Sequence, residues 1–295
     1  MAMTLNVTSA EQLDLIDYVD YCNTTVDIDD VDSVLESAGA LRALANNRSM
    51  IVRALNDYLS RPRYFERTNT YSSQSLLLAE EKTFTLRANM WIKPHAYAPG
   101  VEWDEQVYAY GFAHNHNFQF LTVGAFGPGY VTDIYEFDPT NACLRDGESV
   151  SLKFLERTTL PFGKVMFYRR AIDVHIQHPP ESFSMSLNFM PNNKEIYTTE
   201  QIEFDVTRSA IKSTIASHVI QQVDLLKMAS LIGDESTGAM ALRVATVAPS
   251  TKARLAAFEC AAALLPGEER RIWQAALADV SDEVTSVARN CLEHC

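Results

Sequence analysis

The chain has 295 residues, enough for one large domain or two modest ones with a buried apolar core. Hydrophobic residues make up 47% of it and charged residues 21%, which is typical of a folded globular protein and excludes a disordered one. The net charge of −13 excludes nucleic acid and anionic lipid as main partners, because both select basic surfaces.

The sequence carries no pattern for export or membrane insertion. Its first residues lack the basic and apolar regions of a secretory signal, and no run approaches the roughly 20 apolar residues that span a bilayer. The five cysteines are scattered and form no CxxC pair, which favours reduced thiols over a disulfide framework or a zinc site. Together these features predict a cytoplasmic protein.

Residues 1–63 have helical patterning. Ser9, with Gln12 three residues later, forms a capping-box signature at the start of the amphipathic run EQLDLIDYVDYC. Two further helices are predicted in VDSVLESAGALRALAN and in MIVRALNDYLS, the second of which stops at Arg61-Pro62.

Residues 64–197 change character and predict an all-β sandwich or barrel. Short segments rich in aromatic and β-branched residues are separated by turns, a pattern typical of many short strands rather than of βαβ units. The expected strands are TFTLRANMWI, QVYAYGFAHNH, FQFLTVGAF, VTDIYEFD, SVSLKFLER, KVMFYRR, DVHIQH and SFSMSLNFM. The glycine-rich GAFGPG is expected to be a hairpin turn.

Residues 198–295 are predicted to return to helix. Ala and Leu dominate, and Ser250, Pro266 and Ser281 each stand just before an apolar-periodic run, as caps or first-turn residues do. The short, similarly patterned segments vaguely resemble stacked helical repeats of the HEAT type.

The pair His114 and His116 is the clearest candidate for a functional site in the sequence. Residues i and i+2 of a strand point to the same side, so both imidazoles would face one way with Asn115 opposite. Two neutral imidazoles side by side suit a divalent Fe, Mn, Ni, Cu or Zn ion. Taken alone, the pair is equally compatible with two barrel histidines that are satisfied by hydrogen bonds.

The order of segments around this pair resembles the two motifs of the cupin superfamily. The glycine-broken GAFGPG and the strand DIYEF follow His-x-His, and LPFGKVMFYRR leads through a turn to Asp173-Val174-His175. The similarity is greatest to the cysteine dioxygenase branch, and Trp91 stands where that branch has a tryptophan. The resemblance covers roughly residues 71–192.

The resemblance implies an α+β protein with a cupin barrel, a double-stranded β-helix or jelly roll, between N-terminal helices and a C-terminal helical region. It also implies a metal site made of His114, His116 and His175, with Fe(II) as the ion and Mn, Ni, Cu or Zn as alternatives.

The sequence differs from the thiol dioxygenases at the positions with which those enzymes recognise cysteine. The stretch TYSSQSLLL has no counterpart of their substrate-binding arginine. Their closing strand carries a Ser-His-Tyr set that here is Ser186, Asn188 and Met190. These differences imply a substrate other than cysteine.

Strand parity suggests which side chains line the cavity. If Trp91 faces the interior, Arg87 and Asn89 do so too, and Arg87 is the candidate for holding a substrate carboxylate or phosphate. The alternative for Arg87 is an ion pair with a buried acid such as Glu156. The other candidate substrate-binding residues are Tyr110, Tyr130, Tyr135, Arg169, Ser186 and Asn188.

Three functions remain open at this point. The favoured one is a mononuclear non-haem iron oxygenase that acts with O2 on a small amino-acid-like or biosynthetic metabolite. The alternatives are a non-redox metal enzyme such as an isomerase or lyase, and a barrel that senses a ligand while its helices bind a partner. The helical regions could equally form a lid or a homodimer interface.

Overall fold

A computed structural model describes the chain over residues 2–60, 74–93, 107–140, 142, 144–215 and 218–294, without the side chains of Tyr58 and His294. The protein is of the α+β class, as predicted. It divides into two compact units: Met1–Asn193 with Gln201–Thr214, and Lys194–Glu200 with Ile215–Cys295. Over the described ranges, no helix has the length and apolarity that crossing a membrane requires.

The first unit begins with a short strand at Met3–Leu5, inside the segment predicted to be helical, and continues with the predicted helices. Its helices are α1 (Leu15–Thr25), α2 (Val31–Glu36), α3 (Ala38–Asn46) and α4 (Arg48–Ser60). The predicted capping box is wrong, because α1 begins at Leu15 with Asp14 as its cap, while the Ser9 hydroxyl accepts a hydrogen bond from the Glu11 amide. The second predicted helix is two helices, separated at Ser37.

The described residues contain eleven strands, which form three sheets. The strands are β1 (Met3–Leu5), β2 (Ser75–Glu80), β3 (Phe84–Trp91), β4 (Phe120–Phe126), β5 (Val131–Phe137), β6 (Leu152–Thr159), β7 (Val165–Tyr168), β8 (Asp173–His178), β9 (Ser184–Pro191), β10 (Gln201–Asp205) and β11 (Ala210–Ile215). A six-stranded sheet has the order β1-β7-β4-β9-β3-β2, and a three-stranded sheet has the order β6-β5-β8.

The two faces of the six-stranded sheet have different neighbours. One face packs Leu86, Leu121 and Phe189 against Tyr18 and Leu41 of the N-terminal helices, and all five side chains are fully buried. Burial of each such side chain stabilises the fold by roughly 1.5–3 kcal/mol. Because side chains alternate along a strand, the opposite face of β3 and β9 looks toward the three-stranded sheet.

The glycine-rich GAFGPG joins the two sheets. It leads from β4 in the six-stranded sheet to β5 in the three-stranded sheet, so the predicted hairpin is wrong. Gly129 has φ +84°, and a Cβ there would stand 2.0 Å from the Leu160 carbonyl oxygen. The chain can therefore cross between the sheets at this point only with glycine.

The predicted helical region begins later than expected, because β10 and β11 form a two-stranded ladder. Alternation in Gln-Ile-Glu-Phe-Asp buries Ile202 and Phe204 on one side, next to Ile211. Asp205 fixes the connecting turn by accepting hydrogen bonds from the amides of Thr207 and Arg208. The period of two in this short run indicates a strand, and the Ala- and Leu-rich pattern starts only after it.

The second unit is helical. Its helices are α5 (His218–Ile232), α6 (Glu235–Val247), α7 (Thr251–Leu264), α8 (Glu269–Ala276) and α9 (Asp282–His294), preceded by a 3-10 turn at Lys194–Tyr197. Ser250 caps α7 as predicted, by accepting from the Ala253 amide. Small side chains such as Ala257 and Ala261 let α7 pack closely around Trp273. The HEAT-like repeat remains a prediction.

Candidate metal centre

The three predicted histidines meet through backbone pairing between a loop and a strand. His175 lies in the middle of β8, opposite Ile134 of β5. The His114 amide donates to the His175 carbonyl at 3.1 Å, and the His175 amide donates back to His114 at 2.9 Å. The segment that carries His114 and His116 is thus an extended bridge rather than the expected regular strand.

Asn115 holds this segment from the opposite side. Its side-chain amide donates to the Ala171 carbonyl at 2.9 Å, and its oxygen accepts from the Ile202 amide at 2.8 Å. The His116 carbonyl accepts from the Ala171 amide at 2.8 Å. Asn115 is fully buried, so both side-chain bonds form away from solvent. The sequence placed Asn115 opposite the histidines but did not reveal this positioning role.

The three imidazoles converge on one point. The Nε2 atom of His175 lies 3.1 Å from Nε2 of His116 and 3.2 Å from Nε2 of His114. The three potential ligand atoms all lie within 4.8 Å of one another. Two nitrogens bound to one ion at about 2.0–2.1 Å stand about 2.9–3.4 Å apart at angles of roughly 90–110°. Both short distances fit a shared ion.

Hydrogen bonding alone does not account for these contacts. A ring nitrogen of a neutral imidazole has either one proton or one lone pair, never both. Nε2 of His175 can therefore form a hydrogen bond with His114 or with His116, but not with both. The remaining close pair would then have no hydrogen bond of its own. A cation bound by all three nitrogens removes this conflict, so the residues present fit a metal ion.

The three side chains are in the protonation state that metal binding requires. Burial lowers the pKa of His114 to about 4 and lowers the pKa of His116 and His175 well below the usual range. Neutral imidazole is the ligand form. Nδ1 of His114 lies 3.0 Å from the Phe112 carbonyl, to which it donates, and this leaves the Nε2 lone pair free to bind an ion.

Two glutamines contact the other rings. The Gln177 amide lies 3.1 Å from Nδ1 of His175, and the Gln201 amide lies 3.4 Å from Nδ1 of His116. When Nε2 of a ring binds an ion, Nδ1 carries the proton, so each glutamine must accept it with its amide oxygen; a partner that accepts this proton fixes the orientation of the ring and raises its basicity. Sequence analysis missed both, although Gln177 shares the strand parity of His175.

Gln177→Leu is expected to weaken Zn(II) binding by about 10–100-fold, because the His175 ring loses the partner that orients it. Leucine fills a similar volume and adds no charge, so we expect the fold to persist. Competition with a chromophoric chelator measures the affinity. Gln221→Leu, at an exposed position on α5, is the control. Equal affinity of Gln177→Leu and the unmodified protein would contradict a role for Gln177.

Aromatic rings enclose the histidines. Phe118 and Phe120 lie 4.7 and 5.1 Å from the His116 ring between centroids, and Tyr168 lies 5.0 Å from the His175 ring. Apolar walls of this kind exclude water and lower the local dielectric, which strengthens every electrostatic contact in the site.

The inner face of the six-stranded sheet carries several predicted site residues. Trp91 donates from Nε1 to the Ser186 hydroxyl at 3.0 Å, and its ring lies 4.0 Å from that of Tyr130. Asn89 accepts from the Ser75 hydroxyl at 2.8 Å. Further candidates on this wall are Arg87 and Asn188, which are paired across β3 and β9. Tyr110 belongs to the same buried cluster as Trp91.

Two predicted site residues lie elsewhere. Tyr135 is on the face of β5 opposite to Ile134, where it packs against Phe154 at 5.3 Å between ring centroids. Arg169 forms ion pairs with Asp173 at 2.6 Å and with Glu136 at 2.9 Å. The structure does not bring either residue to the histidines.

The structure thus combines antiparallel sheets with a cluster of three histidines whose nitrogens lie close enough together to bind one metal ion. No family model matches the chain, and no curated protein matches it.

Parts of the chain are similar to solved structures, three of which are as follows. Hydroquinone 1,2-dioxygenase from Sphingomonas sp. TTNP3, with 4-hydroxybenzoate bound, is 9% identical over 47% of this chain and 77% of its own, with a TM-score of 0.28. DMSP lyase from Ruegeria pomeroyi DSS-3 is 11% identical over 68% and 81%, with a TM-score of 0.29. A cupin domain from Bordetella pertussis Tohama I is 6% identical over 43% and 100%, with a TM-score of 0.23.

Proposed function

We propose that this protein is a mononuclear non-haem iron oxygenase that acts on a small amino-acid-like or biosynthetic metabolite. The observation that carries the proposal is the position of His175 Nε2, at 3.1 and 3.2 Å from the corresponding atoms of His116 and His114. Three neutral nitrogens in this arrangement hold one divalent ion and leave other coordination positions open.

The donor set supports iron and dioxygen as reaction partners. Three neutral ligands leave about three positions of an octahedral ion, enough for O2 and a substrate that binds through two atoms. When bound, Fe(II) supplies the one-electron chemistry that dioxygen needs. The chain itself holds the rings through Phe112, Gln177 and Gln201, and excludes water with its aromatic wall.

The wall opposite the histidines supports a substrate other than cysteine. Ser186 accepts a hydrogen bond from Trp91, and Asn188 accepts one from Thr122 at 2.6 Å. Met190 lies in the buried aromatic cluster. Where thiol dioxygenases have a histidine and a tyrosine, this wall therefore has an amide and a thioether.

Nitric oxide, a stable stand-in for O2, tests whether the site suits oxygen chemistry. We expect anaerobic protein loaded with one Fe(II) per chain to bind nitric oxide and give an S = 3/2 electron paramagnetic resonance signal. The His116→Ala variant should lack the signal. Protein that holds one Fe(II) per chain and yet gives no such signal would contradict the oxygenase. It would favour the isomerase or lyase alternative, in which a redox-silent ion polarises the substrate.

A further inference from the structure

A cavity of about 570 Å³ lies between helix α4 and the six-stranded sheet. Its helical wall includes Ile51, Leu55 and Leu59, which recur every four residues and therefore share one face of α4. On the sheet side, Met90 of β3 lines the cavity. Met90 is next to Trp91, which belongs to the aromatic cluster of the inner wall. Because side chains alternate along a strand, the cavity lies on the opposite face of the sheet from the histidines.

The cavity is the space left where α4 does not close on the sheet. Helix α3 packs directly on β4 and β9, and α4 joins the same core with Met50 in its first turn. Further along α4, Leu55 and Leu59 are 42% and 61% exposed. Burial of each such side chain would stabilise the protein by roughly 1.5–3 kcal/mol. An apolar ligand in this space would bury them, and the volume is within the range of about 300–1,000 Å³ that is typical of ligand sites.

Two aromatic rings and one arginine form a border of this cavity. The rings of Phe126 and Phe183 lie 6.0 Å apart between centroids, and both side chains are exposed. The Arg48 guanidinium lies over the Phe126 ring, 5.2 Å from its centroid. A guanidinium that stacks on a ring presents its N–H donors around its edge, so they can still reach a second partner.

Arg48 is the cation of this site. Among the described residues that line the cavity, the polar ones are Arg48 and Ser75. Ser75 is buried, and its hydroxyl donates to Asn89 at 2.8 Å. The Arg48 side chain forms no ion pair with any residue that the structure describes, and its contact is with the Phe126 ring. A cation at the border of an apolar cavity is complementary to a ligand that joins one anionic group to an apolar body.

We infer that this cavity binds a small amphiphile with one anionic group, such as the carboxylate of a medium-length alkyl chain. The chain lies between α4 and the sheet, and the carboxylate meets the guanidinium fork of Arg48. The net charge of −13 repels a membrane surface rich in anionic lipid, whereas a single anionic group is attracted by the nearby Arg48. The site is separate from the three-histidine centre and does not depend on the proposed function.

Displacement of dansyl-labelled undecanoate from the full-length protein tests this inference. The competitors are decanoate, decan-1-ol and decyltrimethylammonium, which share an alkyl chain and differ in the charge of the head group. We expect decanoate to displace the label at about five- to tenfold lower concentration than the alcohol, and the cation to be the weakest competitor. The advantage of decanoate should shrink as NaCl is added, because Arg48 is exposed and salt screens its charge.

Three variants locate the bound probe. Arg48→Gln should reduce the affinity for decanoate to that for the alcohol and leave the affinity for the alcohol unchanged. Leu55→Trp fills part of the cavity from an exposed position, so we expect it to weaken both competitors by about tenfold or more while the fold persists. Arg53→Gln is the matched control, because Arg53 is an exposed arginine of the same helix that pairs with Asp14. It should behave like the unmodified protein.

The inference is overturned if the labelled undecanoate does not bind, if decanoate and decan-1-ol compete equally, or if Arg48→Gln keeps the full affinity for decanoate. A dimer of the unmodified protein that Leu55→Trp dissociates in analytical ultracentrifugation would also overturn it, because a second copy would then occupy this face. Co-sedimentation with phosphatidylglycerol vesicles that Arg48→Gln abolishes would overturn it in favour of a membrane surface.

Discussion

His175→Ala is expected to weaken Zn(II) binding by roughly 10²–10³-fold, since each ligand of a four-ligand zinc site contributes about 3–4 kcal/mol to binding. His175 is the ligand that both other histidines approach, so its loss leaves two nitrogens that no longer share a close neighbour. Isothermal titration of metal-free protein measures the affinity.

The same variant separates a metal site from a structural cluster. In the metal-free protein the three Nε2 atoms crowd one another, so removal of one ring offsets part of the cost of the cavity it leaves. We expect the thermal midpoint without metal to change little, and the stabilisation by Zn(II) to vanish. The control is His178→Ala on the same strand, whose ring lies 2.8 Å from Asp133. A large loss of metal-free stability with unchanged Zn(II) affinity in His175→Ala would contradict the assignment.

Asn115→Ala is expected to lower the free energy of unfolding by about 2–4 kcal/mol. It leaves the Ile202 amide and the Ala171 carbonyl without their side-chain partner, at a cost of about 1–3 kcal/mol for each such group. Because Asn115 stands between the two ligating histidines, Zn(II) affinity should fall as well. Urea unfolding followed by tryptophan fluorescence measures the first effect, and metal titration the second.

A matched change at an exposed asparagine provides the control for this result. Asn23 lies at the surface of α1, where its amide reaches Glu81 at 3.3 Å. Asn23→Ala should change stability by no more than about 0.5 kcal/mol. A similar small effect of Asn115→Ala would show that the histidine segment is held by its backbone pairing with β8 alone.

The close approach of His114 and His116 was predictable because the signal is local. His114 and His116 are two residues apart, and any extended backbone presents such a pair on one side. His175 was predicted from the order of segments that resembles the cupin motifs. The same two-residue parity placed Arg87, Asn89 and Trp91 on one face of β3, where the structure has them.

The orientation of β5 could not be predicted from the sequence, because nothing local shows which of its two faces is turned to the histidines. Tyr135 and Ile134 are neighbours on β5, and only the pairing of Ile134 with His175 decides which of them faces the site. The turn between β4 and β5 contains hairpin-like glycines, yet its role depends on which sheet each strand joins. Both facts are fixed by contacts between distant residues, which a single sequence does not contain.

The polar partners of the histidines could not be predicted from the sequence, for a different reason. Asn115 has its role because the Ala171 carbonyl and the Ile202 amide lie beside it. Gln177 and Gln201 have theirs because the fold brings them to the rings of His175 and His116. A buried amide side chain between two histidines can indicate a residue that holds them in place, because a buried polar side chain needs hydrogen-bond partners.

The X-ray absorption spectrum of the ion bound to the unmodified protein tests the three-histidine centre most directly. We expect one transition-metal ion per chain, with three imidazole rings at about 2.0–2.2 Å and lighter oxygen or nitrogen atoms at the remaining positions. A spectrum with sulfur at about 2.3 Å, or with fewer than two imidazoles, would contradict the account.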